Sequence, residues 1–285
     1  MALFGRPDGD RVQNLSMLRR FIPHLMPGRN ESAVFFNQTL DLSHTLSWLE
    51  AANAELGQDD KISFFHVVIA AMARTLGQRP QLNRYISGRR VYQRRDIAIS
   101  FAVKKSFEDE APLTTVKITF GPDDTLLDVG RRLREAIGQG RGQALTTSEK
   151  ELKVVAAMPR GVMRAVMGAQ RWLDYWNLLP GAMIQADPMY ASVFVANLGS
   201  IGLDAPFHHL YEYGTIPIFV VIGRIKKAPV VDEAGQIVAR EVVDLKYTLD
   251  ERVADGFYCA RSLELLRGLV ERPEALMAPP EPTGR

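Results

Sequence analysis

The sequence predicts an α/β fold with a mixed sheet, and two observations lead to that class. Apolar residues recur at helical spacing in some segments and form strand-like runs in others. The two kinds of segment interleave without the strict alternation that a doubly wound parallel sheet shows. The chain has 285 residues, 46% of them hydrophobic, which is enough to bury a sizeable core.

Local patterns predict the elements in chain order. Ser43 and Ser63 are predicted N-caps, because a seryl side chain can accept a hydrogen bond from the first turn of a helix. Pro80 and Pro273 follow predicted helices, where proline commonly ends them. Helices are predicted at residues 11–26, 46–56, 64–76, 124–176 with interruptions, and 254–270. Strands are predicted at residues 33–42, 96–104, 112–120, 191–197, 216–225 and 237–249, with a hairpin at 85–94 that turns at Ser87-Gly88.

The chain shows no repeat of fixed period and no long linker in its middle. We therefore predict one domain at residues 11–277, a flexible N-terminus at 1–10 and a disordered tail at 278–285 (APPEPTGR). Charge arrives too early for a signal peptide, and the longest apolar runs are shorter than the roughly 18–20 residues that a membrane helix needs. These patterns predict a cytoplasmic protein without a transmembrane segment.

Composition excludes several classes of function. Lys and Arg number 35 against 33 Asp and Glu, a net charge of +2, which argues against nucleic acid as a partner. The single cysteine, Cys259, excludes an internal disulfide framework and is interpreted as a buried apolar residue rather than a reactive thiol. Phosphate-loop, dinucleotide, H-E-x-x-H and G-x-S-x-G motifs are all missing, so we predict no metal site. His66 is predicted to be a core histidine, whereas His24 and His44 are predicted to be solvated.

Two segments carry more information together than alone. Residues 194–200 (FVANLGS) are an apolar strand that ends in a glycine turn, and residues 249–256 (LDERVADG) are a strand end followed by a helix. Asp255-Gly256 at that junction suits a turn whose carboxylate can cap the helix or pair with an arginine.

With their order along the chain, these segments resemble the catalytic domain of dihydrolipoamide acyltransferases, the core subunits of 2-oxoacid dehydrogenase complexes. That family shares the chloramphenicol acetyltransferase fold, so the resemblance implies a two-layer fold with a mixed sheet. Six short motifs in the right order carry the resemblance, at residues 19–26 (RRFIPHLM), 79–83 (RPQLN), 196–199 (ANLG), 222–225 (IGRI), 250–256 (DERVADG) and 271–276 (ERPEAL).

The resemblance implies a mechanism and an assembly. In the family, a histidine takes the proton from a thiol or hydroxyl that attacks an acyl thioester, and a serine hydroxyl supports the oxyanion. An aspartate orders the site through an arginine, and the site lies between the subunits of a trimer. Carried over residue by residue, the resemblance implies an ordering role for Asp255, and structural roles for Arg19, Arg252 and Gly256. It also implies that Asn197 and Gly199 lie in the substrate or coenzyme A site.

Two positions depart from the family pattern. Glu251 stands where the family has its catalytic histidine, and Ala196 stands where it has its serine. Losing both groups independently would remove about 5–9 kcal/mol of transition-state stabilisation. Glu251 could replace the base if burial raised its pKa from about 4.3 towards neutral. The alternative use of Glu251 is a structural salt bridge.

The pair His208-His209 leaves three alternatives. Residues 208–214 (HHLYEYG) imitate the H-H-x-x-x-D-G signature of condensation domains, but Tyr213 replaces the aspartate. The two histidines could instead line an acyl or acceptor pocket beside Ala196, or be structural.

A further departure is extra helical sequence between Thr147 and Asp187. Its amphipathic pattern fits a partner or membrane surface, or a helix that packs on the core or on a neighbouring subunit. The apolar positions are Val162, Met163, Val166, Met167, Trp172, Leu173 and Trp176, and the basic ones are Lys150, Arg160, Arg164 and Arg171.

Two functions remain open at this point. In the first, the chain is a stand-alone acyltransferase with coenzyme A or acyl-CoA as its substrate, in which Glu251 acts with Asp255. In the second, it is a catalytically inactive scaffold or acyl-CoA-binding protein. Both predict a homotrimer or an assembly of trimers. No lipoyl domain and no lysine in a lipoylation context are visible, so no lipoate is expected on this chain.

Overall fold

A seven-stranded mixed sheet organises the computed structural model, which describes residues 5–104, 113–141, 158–232 and 234–280. The strands are β1 Gly9–Arg11, β2 Ala33–Asp41, β3 Arg84–Ser87, β4 Arg90–Arg94, β5 Ile97–Lys104, β6 Leu113–Phe120, β7 Val193–Asn197, β8 Ile218–Ile222, β9 Lys226–Val231 and β10 Ile237–Asp250. The helices are α1 Met17–Leu25, α2 Ser43–Glu55, α3 Phe64–Gln78, α4 Leu126–Arg141, α5 Arg160–Tyr175, α6 Gly181–Ala186 and α7 Gly256–Glu271.

The sheet order is β2-β10-β8-β7-β5-β6, and β9 pairs with the first half of the long strand β10. The β5–β7 and β7–β8 pairs are parallel, and the other pairs of this sheet are antiparallel. A small second sheet has the order β1-β4-β3. The predicted α/β class with a mixed sheet is therefore confirmed.

The two faces of the main sheet carry two different apolar clusters, because successive side chains of a strand point to opposite faces. Val193 and Val195 of β7 face the helical layer, in which α3 is buried without a break from His66 to Leu76. Phe194, between them, faces the other way and packs against Phe219 of β8. The helices thus cover one face, and the chain between β7 and β8 covers the other.

The start of the chain differs from the prediction. The first helix begins at Met17 rather than at residue 11, and Gly9–Arg11 form a strand against β4. Arg6 is 3% exposed, and its guanidinium donates to Asp8, Ser87 and Asp174 at 2.7 to 2.8 Å. The prediction of a flexible N-terminus is therefore wrong from Arg6 onwards. The partners of Arg6, Ser87 and Asp174, are distant from it in the sequence, so no local pattern reveals these contacts.

The two predicted N-caps have different outcomes. Ser63 is the N-cap of α3, and its main-chain N–H donates to Nδ1 of His66 at 2.9 Å. His66 is 8% exposed, so its predicted place in the core is confirmed. Ser43 is instead the first residue of α2, and its N–H donates to the Asp41 carboxylate at 2.9 Å. The predicted Ser43 cap is wrong, because the Asp41 carboxylate already accepts a hydrogen bond from an N–H group at the start of α2.

The predicted hairpin is confirmed, with its turn one residue later than expected. Gly88 and Arg89 form the turn with φ of 53° and 59°, the two positive values that a type I′ turn requires. A Cβ on Gly88 would lie 2.3 Å from the Tyr175 carbonyl oxygen. Glycine at this position therefore lets the end of α5 rest directly on the turn.

Other regions add details to the prediction. Cys259 is buried in α7, and burial, with a smaller contribution from Asp255, raises the pKa of its thiol to about 11.

The carbonyl of Ala278 accepts a hydrogen bond from Arg74 at 2.7 Å, so the ordered chain passes the start of the predicted tail. Residues 281–285, and Lys150 with the stretch 142–157, lie outside the described residues. No helix in the described ranges is long and apolar enough to span a membrane.

Candidate functional site

The end of β10 is fixed by a buried ion pair. Asp250 and Arg252 are 1% and 2% exposed, and their side chains make two hydrogen bonds of 2.8 and 2.7 Å. Arg252 also donates to the carbonyls of Met26 and Pro27 at 2.9 Å. Because each buried charge faces its partner, this pair ties the end of β10 to the chain after α1.

Glu251 lies between those two residues, and its side chain is exposed. Its main chain is held on both sides, because its N–H donates to the Ser32 carbonyl at 2.9 Å. Its carbonyl accepts from the Arg19 guanidinium at 2.8 Å. The carboxylate makes no ion pair with any residue in the described part of the chain. The single chain therefore shows neither the burial nor the salt bridge that the two alternatives for Glu251 require.

Asp255 makes both of the contacts that its sequence context allows. It is the N-cap of α7, and its carboxylate accepts from the Tyr258 N–H at 2.8 Å. The same carboxylate lies 3.6 Å from the Arg19 guanidinium. Arg19 therefore joins the start of α7 to the backbone of Glu251. A Cβ on Gly256, the first residue of α7, would have no atom of the described chain within 4 Å beyond its immediate neighbours.

The turn after β7 contains the second group of candidate residues. Asn197 accepts from the Ser200 N–H through its side chain at 3.2 Å and from the Ser200 hydroxyl through its carbonyl at 2.7 Å. A Cβ on Gly199 would lie 2.4 Å from the Gly223 carbonyl oxygen, so only glycine permits this close approach. Ala196 is half-buried and packs against the cluster of Phe194.

The sheet register sets the distance between Ala196 and Glu251. Ala196 pairs with Val221 of β8, which pairs with Lys246 of β10, five residues before Glu251. At about 3.4 Å per residue and about 4.8 Å per strand, the two positions are roughly 19 Å apart. One chain by itself therefore does not bring Ala196 and Glu251 into a common site.

His208 and His209 lie on the sheet face that also carries Ala196. The His208 ring stacks on Phe219 at 3.9 Å between centroids and on His209 at 4.6 Å. Its carbonyl accepts a hydrogen bond from the Thr248 hydroxyl, and burial lowers the pKa of its imidazole. These contacts favour the structural interpretation of His208. Tyr213, which stands at the aspartate position of the condensation-like motif, bonds instead to Asp187 and Gln170.

The extra helical segment contains α5, which contacts the hairpin at its end. The Ser87 hydroxyl donates to the Asp174 carbonyl at 3.1 Å, and Asn177, just after the helix, donates to the Tyr92 hydroxyl at 2.8 Å. Leu173 packs on an apolar cluster of Leu179, Ile184 and Tyr190. Met163 and Met167 are half-buried, whereas Trp172 and Trp176 are 59% and 47% exposed on this chain.

A cavity of about 280 Å³ lies between α5 and the body of the protein. Arg29 and Arg252 line it from the body, and Arg171 lines it from α5. Sequence reasoning missed this site, because its lining residues come from six separate segments of the chain. The local signal is weak and consists of two charged residues, Arg29 and Glu31, in the loop at residues 27–32 (PGRNES).

Comparisons with known proteins agree with this architecture. The family model described as 2-oxoacid dehydrogenases acyltransferase (catalytic domain) matches residues 7–152 and 182–278. The lipoamide acyltransferase component of the branched-chain alpha-keto acid dehydrogenase complex of Bacillus subtilis (strain 168) is 26% identical over 211 residues. That match covers 74% of this chain but 39% of the relative, so this chain spans about two fifths of the relative's length.

Two solved structures share the fold. A probable dihydrolipoamide acetyltransferase from Listeria monocytogenes 4b F2365 has a TM-score of 0.61 at 18% identity, over 93% of this chain and 95% of its own. A truncated catalytic core of the 2-oxoacid dehydrogenase multienzyme complex from Thermoplasma acidophilum has a TM-score of 0.57 at 18% identity, over 93% and 100%. With the family model covering most of its length, the chain belongs to the 2-oxoacid dehydrogenase acyltransferase family, through that family's catalytic domain.

Proposed function

We propose that this chain is an acyltransferase that takes its acyl group from acyl-CoA and works as a homotrimer. The observation that carries the proposal is the support of Glu251 at the end of β10. Ser32 and Arg19 hold its backbone, Asp255 engages Arg19, and its carboxylate is left open. The fixed backbone and the open carboxylate let Glu251 reach an acceptor, and the burial that a base role requires would come from the neighbouring chain of the trimer.

In the proposed reaction, the Glu251 carboxylate accepts the proton of a thiol or hydroxyl on the acceptor. The acceptor attacks the thioester carbonyl, and the C–S bond breaks after the tetrahedral intermediate forms. Coenzyme A leaves as a thiolate and takes up the proton that Glu251 received. Ala196 has no hydroxyl to support the oxyanion, and the Leu198 N–H already donates to the Ile222 carbonyl at 3.0 Å. The main-chain N–H of Gly199 therefore takes that part.

The separation of Ala196 and Glu251 supports the homotrimer. Because the sheet register places them roughly 19 Å apart in one chain, a site with contributions from both needs two chains. Relatives of known structure include the catalytic core of a multienzyme complex. Coenzyme A as the donor rests on the family resemblance of the DERVADG and ANLG segments.

The test is release of free thiol from acetyl-CoA in the presence of thiol and hydroxyl acceptors. We expect Glu251→Gln to lower turnover by at least about 100-fold, the usual effect of losing a general base. Glu50→Gln, at an exposed position of α2, is the matched control and should keep the full rate. No turnover above buffer with any acceptor would contradict the proposal.

Ala196 favours a second candidate, a catalytically inactive acyl-CoA-binding scaffold. Its methyl group packs on the aromatic cluster of Phe194 and offers no hydrogen-bond donor. A rise in melting temperature with coenzyme A, without thiol release, would support this candidate, because a ligand that binds only the folded state stabilises it.

A further inference from the structure

The cavity beneath α5 contains a buried arginine without a counter-ion. Arg29 is 7% exposed, and its guanidinium donates to four main-chain carbonyls, those of Ile86, Tyr211, Glu212 and Gly214. Its Nε–H is buried and has no hydrogen-bond partner among the described residues. No carboxylate of the described residues forms an ion pair with the Arg29 guanidinium. Burial lowers the pKa of Arg29.

The two carboxylates that line the cavity are already engaged. Glu212 accepts from the main-chain N–H groups of Arg29 and Asn30 at 3.1 and 3.0 Å. Asp174 binds Arg6 at 2.8 Å. The buried Arg252 is neutralised by Asp250. Of these charged groups, Arg29 is the one without a contact ion pair. The carboxylates of Asp250, Glu212 and Asp174 offset its charge only through longer-range attraction, and burying a charge without a direct partner is costly.

Two more arginines lie at the edge of the same cavity. Arg89, in the β3–β4 turn, and Arg171, on α5, line the cavity and are exposed. Neither forms an ion pair with another residue of the described ranges. The cavity thus combines the one remaining N–H of the buried Arg29 with two exposed guanidinium groups that form no ion pair within the described ranges.

We propose that this cavity binds a small anion, a carboxylate or phosphate group, as the counter-ion of Arg29, with Arg89 and Arg171 closing on the ligand. Guanidinium groups bind both anions through paired, charge-assisted hydrogen bonds. A volume of about 280 Å³ equals that of roughly nine water molecules, which suits a compact ligand.

The cavity is distinct from the proposed acyl-transfer site, although Arg252, which fixes the end of β10, lines it. Glu251, Ala196 and Asp255 do not line the cavity. Its roof is α5, which lies inside residues 153–181, the stretch that the family match leaves out. A ligand here would therefore be held between the matched domain, through Arg29 and Arg89, and a helix that the family match leaves out, through Arg171.

The test uses the full chain, with calorimetry and melting curves in inorganic phosphate, in succinate and in sodium chloride at equal ionic strength. We expect saturable binding and a higher melting temperature with phosphate or succinate but not with chloride. The anion that binds more tightly, phosphate or succinate, identifies the chemical class of the ligand. Arg171→Gln should weaken binding at least about 10-fold, the usual range for a charge-assisted hydrogen bond.

Arg164→Gln is the matched control, because Arg164 is exposed on the same helix two turns away and does not line the cavity. It should bind the anion as the unaltered protein does. The proposal is overturned if neither anion binds better than chloride, or if Arg164→Gln weakens binding as much as Arg171→Gln. Since both arginines are exposed and form no ion pair within the described ranges, both variants are expected to fold.

Discussion

At the scale of single residues, His66 illustrates how a buried titratable group serves as a helix cap. Its Nδ1 accepts the Ser63 N–H, which requires that nitrogen to be unprotonated. Burial, with a smaller contribution from Arg134, lowers the pKa of His66 to about 4. The unfolded chain, with an ordinary histidine pKa near 6.5, therefore binds a proton at a higher pH than the folded chain does.

The consequence is a stability loss in acid. As the pH falls from about 6.5 to about 4, this histidine should lower the free energy of unfolding by about 2–3 kcal/mol. His66→Gln should remove that component, because glutamine at this position can accept the same N–H without titrating. The measurement is urea unfolding of both proteins at pH 7 and pH 4. His24→Gln, at an exposed histidine, should behave as the unaltered protein; equal pH dependence in all three would contradict the prediction.

Sequence context predicts contacts between residues that are close along the chain. The Asp255 cap joins positions three apart, and the Ser63–His66 box does the same, so both follow from local patterns. The environment of Glu251 depends on Ser32 and Arg19, more than 200 positions away. No local pattern specifies such partners, which is why the sequence alone suggests burial or a salt bridge and the described chain contains neither.

At the scale of elements, the contact between the hairpin turn and α5 gives a second prediction. Gly88→Ala places a methyl group 2.3 Å from the Tyr175 carbonyl and strains a positive φ, so we expect a loss of about 2–4 kcal/mol in the free energy of unfolding. Gly235→Ala is the matched control, because Gly235 also has a positive φ but open space around it. It should lose only about 1 kcal/mol.

The measurement is again urea unfolding, followed by intrinsic fluorescence in a Trp48→Phe background, so that the signal comes from Trp172 and Trp176 at the end of α5. Equal losses in Gly88→Ala and Gly235→Ala would show that the close contact with Tyr175 contributes nothing.

Elements with a strong apolar pattern were predictable, and short or weakly patterned ones were not. A continuous apolar run predicts α3 almost to its ends, because the helix is buried on all sides. β1 has three residues and β9 contains Pro229, so neither shows a strand pattern. These two strands exist because β4 and β10 offer open edges to pair with.

At the scale of the whole molecule, the order of six weak motifs predicts the fold. The distance between Ala196 and Glu251, the two residues that differ from the family pattern, follows only from the sheet register. That distance leads to a prediction for mixed assemblies. Chains with Glu251→His and chains with Ala196→Ser should be much more active together than apart, because a site between subunits can then contain both a histidine and a serine. Restoring both groups should raise the rate at least about 100-fold over either variant alone.

The measurement is thiol release from acetyl-CoA after the two variants are unfolded together and refolded. The control is the same two variants refolded separately and then combined. Activity that equals the average of the two separate variants would contradict a site shared between chains. Sedimentation of the refolded protein gives the number of chains in the assembly directly.

The contact of Gly88 with Tyr175 also limits how the α5 segment can be transplanted. A relative that receives residues 153–181 would need glycine at the matching turn, since any larger residue would displace the end of the helix. It would also need counterparts of Arg6 and Tyr92, which bind Asp174 and Asn177. The segment is therefore a module only together with its hairpin and the start of the chain, and the three would be inherited or engineered as one unit.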